Sequence, residues 1–553
     1  MGKKKKLRVI PLGGVQEIGK NITVFEYGED IVVVDCGIIF PEDDMLGIDV
    51  VIPDFTYLIE NIHKVKGLVL THGHEDHIGA VPYFLKEINT PVYGTALTLG
   101  LLEYKLESHD LIDSTSLNVV KAGDVIKLGC FKVEFINSNH SIADSTALAI
   151  HTPVGIVIHT SDFKIDYTPI AGKPMNLQRI AELGEEGVRL LLADSTNVEK
   201  EGFTISERVV SESFEDIFSK AGGRIIVATF ASNVHRVQQV VNAAIKFNKK
   251  IIVFGRSMHN VMKKSMELGY LNVPEGTLIE PEDMDKYKPD RLVFIATGSQ
   301  GEPMSALRRM AMDTHKKAEI HKGDLVVISA SAIPGNEKPI NKLINGLLKK
   351  GAEVIYESIS EIHSSGHACR EELKLIHNLT RPDYFMPVHG EFRHLKRHGD
   401  LAHSIGMKHK NIFIMDKGQV LEISDKSAHV KEEVQNGYLM VDGLGVGDVG
   451  NIVLRDRKHL SQDGLITVVV TVEKASGEII AGPDVITRGF VYVKESEALI
   501  NEIKDRTFFA LRDHDLSALD FNAMKNIIRR ELREFLYKKT KRRPMILPII
   551  MEI

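Results

Sequence analysis

The chain has 553 residues, of which 43% are hydrophobic and 26% charged, and its formal net charge is -6. This composition is typical of a globular protein with room for three or four domains. It excludes a uniformly basic nucleic-acid-binding surface, so any polyanion must be bound by local patches or metal ions. We also expect no transmembrane helix, because no apolar run approaches the roughly 18 residues that one needs.

The cysteines and the N-terminus indicate a cytoplasmic protein. Cys36, Cys130 and Cys369 lie far apart, at no metal-site spacing, and are odd in number. Such usage fits a reducing compartment, in which each cysteine acts as a small buried hydrophobe. The basic residues 1–6 are followed by an apolar run too short and interrupted for a signal peptide.

The first predicted elements are strands, and the apolar strand at 31–34 ends at Asp35. An acid at this position either caps the next turn or accepts a hydrogen bond from a metal-bound histidine. We favour the second role, because a metal-bound imidazole needs an acceptor on its other ring nitrogen.

Residues 71–77 read THGHEDH and follow a short apolar run. Imidazole and carboxylate groups are ligands that zinc prefers. His72 and His74 are two residues apart, so in an extended segment they point the same way and can bind one ion. Asp76 and His77 fall on the first turn of a helix predicted to about residue 86, and can bind a second ion. Two ions about 3.5–4 Å apart are suited to displacement at phosphorus. A histidine-rich surface loop is the alternative, disfavoured because the loop leaves a buried strand.

Three further strands lead into candidate site residues. His140 follows a strand near 133–135 and is a candidate third ligand of the first ion. Asp162 follows the strand at 155–159 and is the candidate bridge between both ions, and Asp194 closes the strand at 188–193. Polar residues at one edge of a sheet scaffold are typical of an active site.

From about residue 208 the pattern changes to alternating apolar strands and amphipathic helices. We predict strands at 225–229, 251–254, 292–297, 325–329 and 354–356, with helices such as 234–247 between them. This pattern indicates a separate α/β domain with a parallel sheet. Its turns at 230–233, 255–257, 298–302 and 334–337 suit phosphate at helix N-termini, although α/β proteins also use such turns only to change direction.

A second histidine-rich stretch, IHSSGHA at 362–368, precedes a helix and the strand 384–388, which ends at His389. His389 repeats the pattern of a ligand at the end of a strand and would complete the second metal site. The chain has therefore returned to the first domain. The α/β domain is then an insertion, and the active site lies in the cleft between the two.

Over roughly residues 8–450 these motifs resemble the β-CASP nucleases of the metallo-β-lactamase superfamily. LGG at 12–14, FPED at 40–43, DSTN at 194–197, HSSGH at 363–367 and PVHGE at 387–391 are similar to the bacterial ribonuclease J family. The resemblance implies an α/β fold: a metallo-β-lactamase αββα sandwich, an inserted β-CASP parallel α/β domain and a small α+β C-terminal domain. The expected limits are 1–207 and 368–450 for the sandwich, 208–367 for the insertion, 451–463 for a linker and 464–553 for the last domain.

The resemblance also implies roles for individual residues. The first metal is assigned to His72, His74 and His140, the second to Asp76, His77 and His389, and the bridge between them to Asp162. The ions are zinc or manganese, and Asp35 accepts a hydrogen bond from a ligand histidine. Asp194 and His367 form a proton-transfer pair in which either member is the donor, and Asp76 joins them as catalytic. RNA phosphates, including a 5′-monophosphate, are assigned to Ala231, Ser232, Asn233, His363, Ser364, Ser365, Gly366 and His367. A structural calcium is assigned to the carbonyls of Leu46 and Ile48 and to Asp442.

The activity implied is 5′-to-3′ exonucleolytic and endonucleolytic cleavage of single-stranded RNA, in rRNA maturation and mRNA decay. The intact ligand set predicts an active nuclease rather than a non-catalytic RNA-binding subunit. A β-CASP DNA nuclease is an alternative, since the ligands do not distinguish ribose from deoxyribose. A small-molecule ester or lactam hydrolase is another, disfavoured because a small substrate needs no inserted domain with several anion-ready turns.

The C-terminal part is predicted to contain strands at 465–472 and 490–493 and helices near 495–513 and 518–539. The second helix and its end are basic, which indicates either an RNA or partner surface or a solvated face; the residues are Lys525, Arg529, Arg530, Arg533, Lys538, Lys539, Lys541, Arg542 and Arg543. By resemblance, this domain supports a homodimer or tetramer or pairing with a paralogue, and an RNA-degradation complex is a further possible partner.

Overall fold

The structure, a computed structural model, describes residues 5–42, 44–302, 304–331, 336–356, 362–491 and 496–553. Residues 1–4 of the basic N-terminus, Asp43 of the motif at 40–43, residues 334–335 of one turn and residues 492–493 of one predicted strand lie outside these ranges. The chain divides into a first unit, Met1–Ile39 with Ile52–Leu439, and a second unit, Phe40–Val51 with Met440–Ile553.

A sheet of eight strands carries the first metal-ligand motif. Its strands are β1 (Leu7–Gly13), β2 (Ile22–Tyr27), β3 (Asp30–Val34), β5 (Val65–Val69), β6 (Val92–Gly94), β7 (Leu117–Val119), β19 (Gln419–Ile423) and β20 (Ala428–Glu433). Their order is β20-β19-β1-β2-β3-β5-β6-β7. Strands β3 and β5 are parallel neighbours, so Asp35 and the 71–77 motif leave the sheet at the same edge.

A second sheet of six strands carries the other candidate ligands. Its strands are β8 (Val125–Leu128), β9 (Phe131–Asn137), β10 (Thr146–Thr152), β11 (Gly155–His159), β12 (Val188–Asp194) and β18 (Tyr384–Val388), in the order β18-β12-β11-β10-β9-β8. Parallel pairing of β11, β12 and β18 brings Asp162, Asp194 and His389 to one edge. Apolar residues of both sheets, such as Phe25 and Leu192, share one core.

Helices cover the outer faces of this sandwich. They are α1 (Thr56–Glu60), α2 (Glu75–Ile78), α3 (Val81–Glu87), α4 (Ala96–Ser108), α5 (Leu177–Glu186), α11 (Arg370–Thr380) and α12 (Phe392–Ser404). The single helix predicted after the metal motif is two helices, because Gly79 ends α2 and Pro82 lies in the first turn of α3, where proline starts a helix. Short 3-10 helices lie at Ile62–Lys64, Ile112–Ser114, Pro281–Lys286, Pro289–Arg291 and His409–Asn411.

The predicted parallel α/β insertion is confirmed. Its strands are β13 (Ile225–Ala228), β14 (Lys250–Phe254), β15 (Leu292–Ala296), β16 (Leu325–Ile328) and β17 (Glu353–Ile355), all parallel, in the order β14-β15-β13-β16-β17. Its helices are α6 (Glu207–Lys220), α7 (Val234–Lys246), α8 (Arg256–Glu267), α9 (Ala306–Ala311) and α10 (Glu337–Lys349). The chain therefore leaves the sandwich after β12 and returns to it before β18.

The second unit contains the C-terminal α+β domain. Strands β4 (Val50–Pro53), β21 (Tyr438–Asp442) and β22 (Gly445–Val446) form a separate sheet in the order β22-β21-β4. The C-terminal domain has α13 (Asn451–Asp463), β23 (Leu465–Val472), β24 (Ile479–Arg488), α14 (Glu497–Arg512), α15 (Phe521–Thr540) and β25 (Met545–Glu552). The sheet order is β24-β23-β25, and buried residues of β23, α14 and α15 form a core. No helix in the described ranges is long and apolar enough to cross a membrane.

Three predictions for this part are corrected. The expected linker at 451–463 is helix α13, which begins after Gly450 and ends before Gly464, because the stretch between these glycines contains no helix breaker. The strand expected at 490–493 is not one in its described part, and β24 lies earlier, where Gly482-Pro483 interrupts its apolar pattern. Strand β25 was missed because it contains Pro548, which an edge strand tolerates.

Candidate metal centre

Three histidine nitrogens converge at the ends of β5 and β9. Nε2 of His72 lies 3.1 Å from Nδ1 of His74, and Nε2 of His140 lies 3.0 Å from the same atom. His72 and His74 lie on the extended segment before α2. Burial and the neighbouring imidazoles lower the pKa of His72, and burial, partly offset by the carboxylates of Asp76 and Asp162, lowers the pKa of His74 to about 4. These rings are therefore neutral at pH 7, as metal ligands must be.

A second group combines two histidines with two carboxylates. Asp76 and His77 lie on α2, and His389 and Asp162 follow β18 and β11. Nε2 of His389 is 3.1 Å from Oδ2 of Asp76, and Nε2 of His77 is 3.3 Å from Oδ2 of Asp162. Although burial opposes it, these carboxylates raise the pKa of His77 and raise the pKa of His389 to about 10. This half of the centre therefore attracts positive charge.

Asp162 lies between the two groups. Its Oδ2 is 3.9 Å from Nε2 of His72, 3.8 Å from that of His140 and 3.6 Å from that of His389. Asp162 is only 2% exposed, and although burial opposes ionisation, the surrounding histidines hold the pKa of its carboxyl well below the usual range. The structure thus brings together all seven residues that the sequence singled out as ligands.

The spacing of these atoms fits divalent metal ions. In each group the ligand atoms lie within 4.8 Å of one another. Four ligands at the usual 2.0–2.1 Å from a tetrahedral zinc ion are themselves about 3.3 Å apart, close to the separations above. Imidazole nitrogens and ionised carboxylates are the donor set that zinc and manganese accept, and a bound cation would displace the proton from His77 and His389.

Hydrogen bonds from the backbone and neighbouring side chains orient the ligand rings. Nδ1 of His77 donates to Oδ2 of Asp35 over 2.7 Å, and Nδ1 of His140 donates to the carbonyl of Gly366 over 2.6 Å. Asp35 also accepts bonds of 2.8 Å from the amide and the hydroxyl of Thr71. These contacts fix which ring nitrogen faces the metal position.

Two orienting residues were not assigned a role from the sequence. The side-chain amide of Asn21 donates to the carbonyl of Asp76 over 3.0 Å and lies 3.0 Å from Nε2 of His77. The hydroxyl of Thr196 lies 2.7 Å from Nδ1 of His389 and 2.8 Å from Oδ1 of Asp194. Asn21 follows a stretch without a metal-site motif, whereas Thr196 could have been found from its place directly after a strand end.

Asp194 and His367 form a close pair at the edge of the metal centre. Nδ1 of His367 donates to Oδ2 of Asp194 over 2.7 Å. Burial by itself lowers the pKa of His367, but the carboxylates of Asp194 and Asp162 raise it above the ordinary value. Nδ1 is engaged by Asp194, so Nε2 is the ring nitrogen that remains for proton exchange.

The two segments assigned to RNA phosphates have different surroundings. Ala231 and Ser232 are half-buried just before α7, and the side chain of Asn233 caps that helix. In the second segment, the hydroxyl of Ser364 is completely buried, whereas that of Ser365 accepts a 2.7 Å bond from the side chain of Asn197. These phosphate-binding roles stay predictions.

Two of the three residues assigned to calcium are contacted by an arginine. The guanidinium of Arg457 donates to the carbonyl of Leu46 over 2.9 Å and is paired with the carboxylate of Asp442. Ile48 is buried nearby in sequence, and its amide donates to the carbonyl of Met45. The calcium site stays a prediction, and an ion there requires Arg457 to release both oxygen ligands.

Comparison with family models identifies four segments of the chain. Residues 16–160 match the metallo-β-lactamase superfamily and residues 222–347 match the ribonuclease J β-CASP domain. Residues 351–415 match the Zn-dependent metallo-hydrolase RNA specificity domain, and residues 452–553 match the ribonuclease J C-terminal domain. The four matches follow the order of the domains in the fold.

Full-length relatives are similar along the whole chain. Ribonuclease J 1 of Streptococcus pyogenes serotype M3 is 46% identical over 99% of this chain and 98% of its own length. Ribonuclease J2 of Bacillus subtilis is 44% identical over 99% of both chains. The crystal structure of a protein of unknown function from Enterococcus faecalis covers 76% of this chain and 100% of its own, with a TM-score of 0.54 and 16% identity, and so supports the fold alone.

Replacing Asp35 by Asn tests the support of the metal ligands. Asn tolerates the left-handed backbone at this position, where φ is 59°, but it offers His77 a neutral acceptor in place of a carboxylate. We expect metal affinity, measured by chelator competition, to fall about 10- to 100-fold. Asp124→Asn, at an exposed turn, is the control and should leave the affinity unchanged. Parent-like affinity of Asp35→Asn would show that this contact is dispensable.

Proposed function

Because the chain belongs to the ribonuclease J family, we propose that it is a metal-dependent ribonuclease acting on single-stranded RNA. It removes nucleotides in the 5′-to-3′ direction from 5′-monophosphorylated ends and also cleaves internally. The observation that carries this proposal is the convergence of the seven ligand residues, with the Asp194–His367 pair beside them. By the same family relationship, its roles are rRNA maturation and mRNA decay.

Two divalent ions, zinc or manganese, would be held by the residues described above. When bound, they supply an activated water and stabilise the charge that develops on the phosphate oxygens. The carboxylates of Asp162, which is buried, and of Asp76, which is half-buried, balance this positive charge. Asp35 fixes the ring of His77 through its Nδ1, and Asn21 holds the first turn of α2 through the carbonyl of Asp76.

His367 is the residue that moves a proton at the leaving ribose oxygen. Asp194 stabilises the protonated imidazole and fixes the tautomer, as a carboxylate does for a catalytic histidine. Thr196 connects Asp194 to the ligand His389, so the position of the proton donor is tied to that of the second metal. Asp76, on the opposite side of His389, is the third residue that we place in the catalytic group.

The 5′-phosphate is held by residues 231–233 and 363–367. The N-terminus of α7, which follows Asn233, offers backbone N–H groups to an anion. Nδ1 of His363 is buried and has no hydrogen-bond partner among the described residues, which leaves it available to a phosphate oxygen. Burial and the cation Arg236 lower the pKa of His363 to about 3, so this ring binds phosphate as a neutral group.

RNA is favoured over a small ester because residues 351–415 match a domain described by its RNA specificity. The inserted α/β domain adds anion-ready turns that a small substrate does not need. We place the activity in the cytoplasm, since all three cysteines are free, as is usual in a reducing compartment.

We further propose that the C-terminal domain joins two copies of the chain or one copy and a paralogue. One face of its sheet is covered by α14 and α15, whereas the other exposes Ile486, Leu547 and Ile549, which are 52%, 44% and 41% exposed. Ile486 and Leu547 flank Thr467 in register and Ile549 pairs with Val469, so the three exposed apolar side chains lie on one face of the sheet. An apolar patch of this kind marks a protein interface.

The activity is tested with a 5′-labelled, 5′-monophosphorylated single-stranded RNA and Mn²⁺. We expect labelled mononucleotide as the earliest product, abolished by a chelator or by His77→Ala. His367→Asn should lower kcat about 10²- to 10⁴-fold, the usual contribution of a proton-transfer group, at unchanged metal content. His63→Asn, at an exposed histidine, should match the parent.

Other products separate the alternatives. Longer labelled fragments would show that internal cleavage dominates. Cleavage of single-stranded DNA but not RNA, or hydrolysis of small esters alone, would refute the RNA assignment in a protein that retains its metals.

Assembly is tested by sedimentation velocity of Ile549→Glu. A buried charge at the centre of the apolar face should weaken association and shift the mass toward the monomer. Val119→Glu, at a residue of the first unit that is 60% exposed, is the matched control. A mass equal to that of the parent would refute this interface.

A further inference from the structure

A buried network of charged side chains adjoins the segment that precedes His367. Nζ of Lys164 lies 3.1 Å from Oε1 of Glu207, and the guanidinium of Arg236 lies 2.8 Å from Oε2 of the same carboxylate. Lys164, Glu207 and Arg236 are 1%, 4% and 0% exposed. None of them belongs to the metal ligands or to the proton-transfer pair.

Such a network is an expensive way to stabilise a fold. Removing an ion from water costs several kcal/mol, and well-packed apolar residues often replace buried ion pairs without loss of stability. Burial by itself raises the pKa of Glu207, but Arg236 and Lys164 lower it to about 2, so the carboxylate is charged at pH 7. Because stability alone does not explain such a network, we expect it to fix the position of a backbone segment.

The network holds the first residues of the candidate phosphate segment at two successive points. The carbonyl of Ile362 accepts a 2.7 Å bond from the guanidinium of Arg236 and a 2.5 Å bond from the hydroxyl of Ser329. The hydroxyl of Ser364 accepts a 2.8 Å bond from Lys164 and donates one of 2.6 Å to the carbonyl of Ile205. His363, between these points, therefore has its backbone fixed on both sides.

The same three residues also lie close along the chain to other parts of the proposed site. Lys164 is two residues beyond Asp162, the carboxylate at the centre of the metal ligands. Arg236 is in the first turn of α7, and its amide donates to the side chain of Asn233 over 3.0 Å. Glu207 is the first residue of α6 and joins Lys164 to Arg236. Bonds of the network thus fix residues 362 and 364, while Arg236 and Lys164 also stand within three residues of Asn233 and of Asp162 along the chain.

We propose that Arg236, Lys164 and Glu207 are positioning residues that set the distance between the bound 5′-phosphate and the metal centre. This distance determines that the first phosphodiester of the RNA, and not a later one, lies at the metals. The inference rests on the proposed function, because it assigns the selection of the 5′ end to residues that touch neither the RNA nor the metals. A misplacement of about 1 Å between a binding group and the reacting atoms costs as much as 10²-fold in rate.

Arg236 is the residue of the network that depends most on the planar, multidentate shape of its side chain. Its planar guanidinium donates to Gln239, Glu207, Ser329 and the Ile362 carbonyl at once. A lysine ammonium keeps the charge beside Glu207 but cannot span these four acceptors. Arg236→Lys therefore perturbs the position of the segment without leaving Glu207 uncompensated.

The chain offers a matched control in the same domain. Arg224 is buried, 4% exposed, and pairs with Asp324 through bonds of 2.8 and 2.5 Å. Its guanidinium packs 5.2 Å from the ring centroid of Phe294, and its other hydrogen bond goes to the carbonyl of Glu319. Arg224→Lys makes the same chemical change in a buried ion pair that is not connected to residues 362–364.

The experiment compares three substrates: 5′-monophosphorylated RNA, the same RNA with a 5′-hydroxyl, and bis(p-nitrophenyl) phosphate, which requires only the metal centre. For Arg236→Lys we expect kcat/KM for the 5′-monophosphorylated RNA to fall about tenfold or more and the preference for the 5′-monophosphate to fall by the same factor. Hydrolysis of bis(p-nitrophenyl) phosphate and metal content should stay within about twofold of the parent. Arg224→Lys should keep the parent preference.

Ser329→Ala is the second variant, because it removes one bond to the Ile362 carbonyl and one acceptor of Arg236 while leaving the Arg236–Glu207 ion pair in place. We expect Ser329→Ala to lose less of the preference for the 5′-monophosphate than Arg236→Lys. If Arg236→Lys does not fold, this second variant tests the positioning role by itself. Unchanged preference in the folded variants would overturn the proposal, as would an equal loss on all three substrates. A parent enzyme that shows no 5′ preference would instead refute the proposed function on which the inference rests.

Discussion

The structure depends on one buried carboxylate, that of Asp162, which is surrounded by histidine nitrogens at 3.3 to 3.9 Å. An ionised carboxylate in a protein interior costs several kcal/mol unless positive charge compensates it. Strand β11 brings Asp162 to the sheet edge, and its parallel neighbours β12 and β18 bring Asp194 and His389 to the same edge. The first sheet contributes the 71–77 motif from the other side. The two sheets of the sandwich therefore bring histidine nitrogens from several strands around the carboxylate of Asp162.

The backbone at these strand ends is strained, and neighbouring contacts compensate for the strain. Asp35, Ser161 and His389 have φ angles of 59°, 53° and 54°, in the left-handed region that costs an L-residue roughly 1–2 kcal/mol. Each is held by side-chain bonds, Asp35 by Thr71 and His389 by Thr196. Strain of this kind is concentrated at functional sites.

Much of the fold and of the candidate site could be predicted because each ligand lies within a few residues of the end of an apolar run, and such runs predict strand ends. Lys164, Glu207 and Arg236 gave no such signal, since they are separated in sequence and only folding brings them together. Helix α13 was mistaken for a linker because a polar helix and a linker share composition, and β25 was hidden by Pro548. Local patterns therefore predict where a strand ends, but not which distant charges meet behind it.

Anomalous diffraction from crystals grown with Mn²⁺ would show whether one buried carboxylate, that of Asp162, is shared by two metal sites. If both sites share this carboxylate, we expect two anomalous peaks about 3.5–4 Å apart, on either side of Asp162. One peak lies among His72, His74 and His140 and the other among Asp76, His77 and His389. A single peak, or two peaks that do not share Asp162, would contradict a carboxylate shared by two metal sites.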